Sequence, residues 1–290
     1  MKPTLVGIHS RPDALIEATR DFDRGRLSRE DFLKALKNAE EMLIKEQADL
    51  GFSPTVDGMY NWQDLFRPLV ETFNGLALGP LTRFFDNNTF YKKPLIINKI
   101  SYRSGFKKYV KGSKLVIPGP YTFLKLSSNN FYEDELELMR DYSNSIYEVV
   151  KELGVKHVQL NEPSLTCAEP EDCHLDLIAE AFKRLRSVGE AVVHIYFGDC
   201  DKALGLQERG VDFIGIDVVE GQPVELDTKI LLGVVDSRNT LLESPEHLIR
   251  MVEKFDDVVY IAPNCDMEFL PYEYALRKMK LLSIVAGETR

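Results

Sequence analysis

The sequence predicts a (β/α)8 barrel. Three observations predict it. Eight short apolar runs recur along the chain, most of them followed by a helix-like segment. The runs are continuous in Val, Ile and Leu rather than alternating, as parallel strands buried on both faces are. The length, 290 residues, fits one α/β barrel with insertions. An open doubly wound sheet of this size more often carries a glycine-rich phosphate loop. Here no G-x-G-x-x-G follows the first strand, and no P-loop Gly-Lys-Ser/Thr occurs. The chain is therefore read as one barrel domain over residues 1–290, with residues 74–114 as an insertion on one rim.

Taken in order, Leu5-Val-Gly-Ile-His-Ser10 is a short buried strand that Arg11-Pro12 breaks. Pro12 suits the first turn of a helix running to about residue 22. Ser28-Arg-Glu-Asp31 has the form of a helix cap, and apolar residues from Phe32 to Ile44 keep helical spacing until Gly51. Pro54-Thr-Val-Asp-Gly58 is a second short strand, followed by loop and helix to Phe73. Residues 74–114 are irregular, with Gly79-Pro80, the run Phe84-Phe-Asp-Asn-Asn-Thr-Phe-Tyr91 and the strand-like Leu95-Ile-Ile-Asn-Lys-Ile100. They read as a hairpin-like insertion.

From Leu115 the pattern is regular. Strands are expected over 115–120, 157–161, 192–197, 213–217, 230–236 and 258–262. Helices are expected over 133–153, 175–188, 204–209, 245–254 and 271–286.

Charge narrows the partners. A net charge of −10 disfavours nucleic acid and anionic membrane as ligands. No run approaches the length of a membrane span, and the N-terminal stretch lacks a signal-peptide core. The four cysteines, Cys167, Cys173, Cys200 and Cys265, follow no secreted-scaffold spacing, so reduced thiols and a cytoplasmic location are expected.

In a barrel of this class the strand C-termini share one face, and sites lie there. That face would collect Ser10, Asp57, Gly119-Pro120, Asn161-Glu162, His194, Tyr196, Asp217, Asp236, Arg238 and Asn264-Cys265. Buried polar groups cost free energy unless paired, so this concentration points to a small-molecule site. His194, Asp217 and Cys265 are residue types that make three ligands of a tetrahedral zinc with the fourth position open. The competing reading is a histidine bonded to an aspartate beside a buried, inert thiol. Asp57, Glu162 and Asp236 suit an amino group or the capping of a helix. Arg238 and Lys125 suit a substrate carboxylate or the neutralisation of those acids. Tyr60, Trp62, Phe84, Phe85, Phe90 and Tyr91 are pocket wall, partner surface or core. Cys167, Cys173 and His174 match no common zinc knuckle and are read as loop residues, and Cys200 as structural.

At these residues the chain resembles the cobalamin-independent methionine synthase family. Val158-Gln-Leu-Asn-Glu-Pro163, Tyr196-Phe-Gly-Asp199, Gly233-Val-Val-Asp-Ser-Arg-Asn239 and Ala262-Pro-Asn-Cys265 look like signature runs of that family's N-terminal barrel. So does Arg83-Phe-Phe-Asp-Asn-Asn-Thr-Phe-Tyr91. Each is weak alone; their order and spacing are specific, and the resemblance spans nearly the whole chain.

The family enzyme is two fused barrels. Its C-terminal barrel holds zinc on His, Cys, Glu and Cys and activates homocysteine there, with a methyl-tetrahydrofolate or related pterin as methyl donor. The resemblance places those zinc positions on His194, Tyr196, Asp217 and Cys265, so one Cys is a Tyr and the Glu is shortened. The family's homocysteine-binding Asp falls on Asn161, and its Ile-Gly-Ser run on Ile8-His9-Ser10. A phenol in place of a thiolate removes a soft ligand.

The resemblance implies the N-terminal half of a split methionine synthase, with zinc on a separate catalytic barrel that is its partner. Its substrate-binding candidates are Ser10, Asp57, Trp62, Asn161, Glu162, Tyr196, Asp236 and Arg238. Two alternatives stand beside it. One is a self-sufficient methyltransferase with a metal on His194, Asp217 and Cys265 and a corrinoid or other donor. The other is a regulatory or scaffolding barrel without catalysis.

Overall fold

The computed structural model describes residues 1–289. The chain opens with β1 (Lys2–Pro3), α1 (Asp13–Asp23) and α2 (Arg29–Asp49). Ser28 caps α2 as its sequence implies: the Ser28 hydroxyl accepts the Asp31 N–H at 3.1 Å, with Glu30 and Asp31 in the first turn. The short α3 (Arg67–Thr72) runs into β2 (Phe73–Arg83), which returns as β3 (Phe90–Tyr102). Then come β4 (Lys114–Pro118), α4 (Pro120–Leu126), β5 (Ser128–Asn129) and α5 (Glu135–Leu153). The second half alternates through β6 (His157–Asn161), α6 (Asp172–Arg186), β7 (Glu190–Ile195), α7 (Lys202–Glu208) and β8 (Phe213–Asp217). It ends with β9 (Lys229–Val235), α8 (Pro245–Val252), β10 (Val258–Pro263) and α9 (Tyr272–Glu288).

Among the described residues, seven strands form one curled parallel sheet in the order β1-β10-β9-β8-β7-β6-β4. Residues 53–58 stand between its two end strands. Ser53 N–H donates to Pro3 O at 3.0 Å, and Thr55 O accepts Ser113 and Lys114 N–H at 3.0 and 3.1 Å. This segment takes the eighth place without forming a ladder. The strand expected there is thus corrected to an irregular stave. Pro54 has no N–H to give, and the Asp57 carboxylate takes the N–H groups of Met59 and Lys111, which turns the chain.

The first strand is likewise shorter than its apolar run. Only Lys2 and Pro3 pair with β10, at Tyr260 and Ile261. Beyond Thr4, the N–H groups of Ile8 and His9 go to the Asp266 side chain and to Gly58 O.

One helix went unread in the sequence. Gly119-Pro120 ends β4 and starts α4, because proline fits a first helical turn and lacks only an N–H that would have no partner there. The Glu162 carboxylate then caps α4, accepting Tyr121 and Thr122 N–H at 3.0 and 2.7 Å.

The insertion is a long antiparallel hairpin, with Phe73 opposite Tyr102 and Arg83 opposite Phe90. Its register shifts between Leu78 and Leu81, at Gly79-Pro80, where proline breaks the ladder. The hairpin root packs on α5 through Phe73, whose ring lies 6.2 Å from that of Tyr142. Strand residues such as Leu160, Val193, Ile214, Leu231 and Ile261 belong to the hydrophobic core and are essentially unexposed. Each such side chain contributes about 2 kcal/mol by leaving water. No helix among the described residues is long and apolar enough to cross a membrane.

Lys278 of α9 is fully buried, and its Nζ donates to both oxygens of Glu243 at 3.0 Å and to Leu241 O at 2.6 Å. Glu243→Ala strands that charge and should cost roughly 3 kcal/mol in a urea titration. Adding Lys278→Met should recover most of the loss. A double variant as unstable as the single one would refute this account.

Candidate functional site at the barrel mouth

The strand ends deliver a connected polar network. Gln159 and Asn161 project from β6 into the interior, as alternate residues of one strand share a face. His194 from β7 and Tyr196 just beyond it do the same. Gln159 Nε2 donates to Val6 O at 2.9 Å and Asn161 Oδ1 at 2.6 Å, and faces His194 Nδ1 at 3.3 Å. Asn161 Nδ2 donates to Val6 O at 3.1 Å and reaches the Tyr196 hydroxyl at 3.4 Å. That hydroxyl donates to Asp266 Oδ2 at 3.5 Å.

Asp266 is the end of the chain of contacts. Its Oδ1 accepts the Ile8 N–H at 2.7 Å. A Cβ on Gly7 would lie 1.8 Å from that oxygen, so only glycine admits the carboxylate. Burial raises the pKa of Asp266, and burial plus the Asp266 charge raises that of Glu268.

Above this network lies a narrow pocket. Asp64, Asp266 and Glu268 face it from the barrel, and Thr89 and Tyr91 from the hairpin tip. Aromatic rings hold the tip down: Phe84 and Phe85 lie 6.1 and 5.5 Å from Phe197, which packs on Tyr196 at 4.6 Å. Phe85 and Phe197 both have positive φ, 48° and 75°. Such backbone costs a bulky residue about 1 kcal/mol or more and persists only when packing enforces it. On the outer side the Arg238 guanidinium lies 5.5 Å from the Phe197 ring and pairs with Glu220 at 2.9 Å.

His194, Asp217 and Cys265 are all fully buried, and their donor atoms are differently engaged. Asp217 Oδ1 accepts Val219 and Glu220 N–H at 2.9 and 3.1 Å, and Oδ2 accepts Phe197 N–H and Asn264 Nδ2 at 3.3 and 3.2 Å. The Cys265 thiol donates to Asp266 O, and burial together with Asp266 and Asp217 pushes its pKa up. Burial drives the His194 pKa down to about 3, so the ring is neutral, with Nε2 unpartnered. Among the described residues no group of three or more His, Cys, Asp or Glu is placed to hold a metal ion. The donors present do not fit zinc, because both oxygens of the Asp217 carboxylate are already taken by hydrogen bonds.

Of the other expected residues, Asn161 and Tyr196 meet in the mouth. Ser10 lies at its edge, its hydroxyl on Met267 O at 3.1 Å. Asp236 and Arg238 stay on the outer rim, where Asp236 accepts the Arg238 N–H at 2.7 Å. Asp57, Glu162 and Trp62 lie elsewhere: the first two satisfy backbone N–H groups, and Trp62 is core, with Nε1 on Tyr109 O at 2.9 Å. His174 closes a capping box with Glu171 and pairs with Glu135 at 2.7 Å, beside free Cys167 and Cys173. Gln159, Asp266, Glu268 and Gly7 were not singled out. The first lies inside a strand run that was quoted. The two acids lie one and three residues past Cys265, so reading five residues past β10 finds them.

Two predictions follow from this geometry. Gly7→Ala should destabilise the fold by roughly 2 kcal/mol through the clash with Asp266. Combined with Asp266→Ala, the effect of Gly7→Ala should shrink, and additive losses would contradict the contact. Glu162 is buried, and its pKa is pushed up from 4.5 to about 7. The unfolded chain therefore ionises this group first. Its contribution to stability is full below about pH 4.5 and falls as the pH rises toward 7, by roughly 3 kcal/mol. Glu162→Gln should remove that slope, read as the difference between wild-type and variant denaturation midpoints across the range.

The family model described as the cobalamin-independent synthase N-terminal domain matches residues 76–259. The methionine synthase of Saccharolobus solfataricus is 28% identical over 313 residues, covering 98% of this chain and 92% of that protein. That of Sulfolobus acidocaldarius is 26% identical over 314 residues, covering 98% and 90%. A B12-independent methionine synthase from Shewanella sp. W3-18-1, solved in complex with selenomethionine, superposes with a TM-score of 0.78 at 19% identity. It covers 99% of this chain and 96% of that one. That likeness is one of fold.

Proposed function

The chain belongs to the cobalamin-independent synthase family, by its N-terminal domain, and from that premise we propose that it takes part in methyl transfer to homocysteine as one barrel of a split methionine synthase. The observation that carries this reading is the match to the N-terminal domain, which runs from the hairpin into β10. The misfit of His194, Tyr196, Asp217 and Cys265 to zinc supports it. In this reading a separate catalytic barrel brings the metal and the activated thiol, and a methyl-tetrahydrofolate or related pterin brings the methyl group.

The chain's own share is binding and exclusion of water. The pocket lined by Asp64, Asp266 and Glu268 has a volume of about 20 Å³, so these carboxylates shape the mouth beneath the hairpin and do not themselves enclose a substrate. The hairpin tip on Phe197 shields the mouth, and the rim with Arg238 and the hairpin is the surface offered to the partner.

A second reading rests on one observation. The Saccharolobus and Sulfolobus relatives are themselves about one barrel long, so single barrels carry the name methionine synthase. The chain would then act alone, with a metal on His194, Asp217 and Cys265 and a corrinoid or other donor. The four hydrogen bonds already on Asp217 weigh against it.

The test is methyl transfer from methyl-tetrahydrofolate to homocysteine, with and without a separately expressed catalytic barrel. The split-enzyme reading expects no turnover from this chain alone and a gain in rate or donor affinity of about tenfold or more on mixing. An unchanged rate would sink it. Metal analysis of the purified chain separates the alternatives: stoichiometric zinc lost in both His194→Ala and Cys265→Ala would favour the second reading.

A further inference from the structure

A cleft of about 650 Å³ opens on the flank of the barrel, between α2 and residues 61–71 and 108–111. None of the mouth residues Asn161, Tyr196, Asp266 or Glu268 lines it. One wall is apolar: the Phe22 and Phe32 rings stack 4.7 Å apart at 12°, beside Leu36. Into this wall is set a carboxyl group. Glu40 is 4% exposed and lines the cleft, and no hydrogen bond or ion pair among the described residues reaches its side chain. Burial first, and then the Asp57 charge, push its pKa up to about 7.

The cleft's edge is basic in a chain of net charge −10. Lys108 pairs with Glu71, Arg67 with Asp64 and Lys37 with Glu41. Arg29 and Lys111 also line the cleft, are exposed, and enter no ion pair among the described residues, and the Lys111 charge offsets part of the rise at Glu40. A carboxyl group without a hydrogen-bond partner, a flat apolar wall and two cations outside any ion pair lie together in this cleft. Glu40 is otherwise buried, so the cleft is where a ligand N–H would reach its carboxyl group.

We propose that this cleft binds a flat aromatic anion carrying an N–H donor, with the donor on Glu40, the ring against Phe22, Phe32 and Leu36, and the anionic group between Arg29 and Lys111. The ligand is defined by that chemistry: a ring system of one or two fused rings, one N–H, and a carboxylate, sulfonate or phosphate at its far end. The cleft is a second site, and it stands whether or not the chain works in a split synthase.

The probe is 8-anilinonaphthalene-1-sulfonate, which has the ring, the N–H and the anion, titrated into the full chain by fluorescence. One saturable site per chain is expected. The uncharged analogue N-phenyl-1-naphthylamine should bind about tenfold more weakly. The double variant Arg29→Ala, Lys111→Ala should weaken the sulfonate by about tenfold and leave the uncharged dye unchanged. Both substituted residues are exposed, so an unaltered melting temperature is expected and shows that folding is intact. Glu40→Leu should weaken both dyes, whereas Glu40→Gln, which keeps an acceptor, should hold affinity within about twofold. Equal binding of the two dyes, or sulfonate binding indifferent to the loss of both cations, would overturn the proposal.

Discussion

The barrel closes on one buried carboxylate. β1 pairs with β10 at only two residues, which is too short a ladder to hold the seam by itself. Past it, Asp266 takes the Ile8 N–H, the Met267 N–H donates to Ile8 O at 2.8 Å, and Ser10 donates to Met267 O. These bonds tie the end of the first stave to the end of the last, at the mouth. The price is a carboxyl group kept out of water, which is why its pKa rises. The steric condition is a glycine at position 7, where any side chain would collide with the carboxylate oxygen.

The polar interior follows from that seam. Asp266 orients Tyr196, Tyr196 meets Asn161, and Asn161 and Gln159 share the Val6 carbonyl. Tyr196 is thus held in the mouth as a hydrogen-bonded phenol. Asp217 faces away from this network and spends both oxygens on the turn after β8 and on Asn264. A histidine, a carboxylate and a thiol remain in barrel order, yet each is committed to holding backbone or is neutral. Two of the three are structural parts of the loops that shape the mouth.

The hairpin completes the mouth from outside the barrel. Its root is fastened to α5 by aromatic packing, and its tip rests on Phe197, where two aromatic residues adopt left-handed backbone. Strain placed at a contact between two elements marks a seat that the rest of the fold enforces. Below it, three carboxylates face one narrow pocket. Asp64 is anchored by the N–H groups of Phe66 and Arg67, whereas Glu268 is left to interact with the hairpin side and with Asp266.

Much of the architecture was legible because parallel strands buried on both faces must be apolar throughout. That pattern, with helical spacing between runs, placed β6 through β10 and α5 through α9 to within a few residues. It failed at residues 54–58 and 5–10, where the apolar run is real but side chains take the backbone N–H groups that a ladder would need. It missed α4, whose start depends on Glu162, 42 residues further on.

For the site, the residue types at strand ends announced that the mouth is polar and which positions reach it; Asn161 and Tyr196 were read from them. Whether a carboxylate is a ligand or a cap is not written in its spacing. Asp57, Glu162 and Asp217 carry the same local signature as Asp266, and all four are buried. What separates them is which backbone N–H groups distant segments bring within 3 Å or so, and that is settled only when the ring closes. The sequence by itself determined a parallel barrel with polar strand ends and an aromatic hairpin. The tertiary structure decided which of those polar groups are consumed in holding it shut, because hydrogen-bond partners far apart in the chain are chosen by the fold.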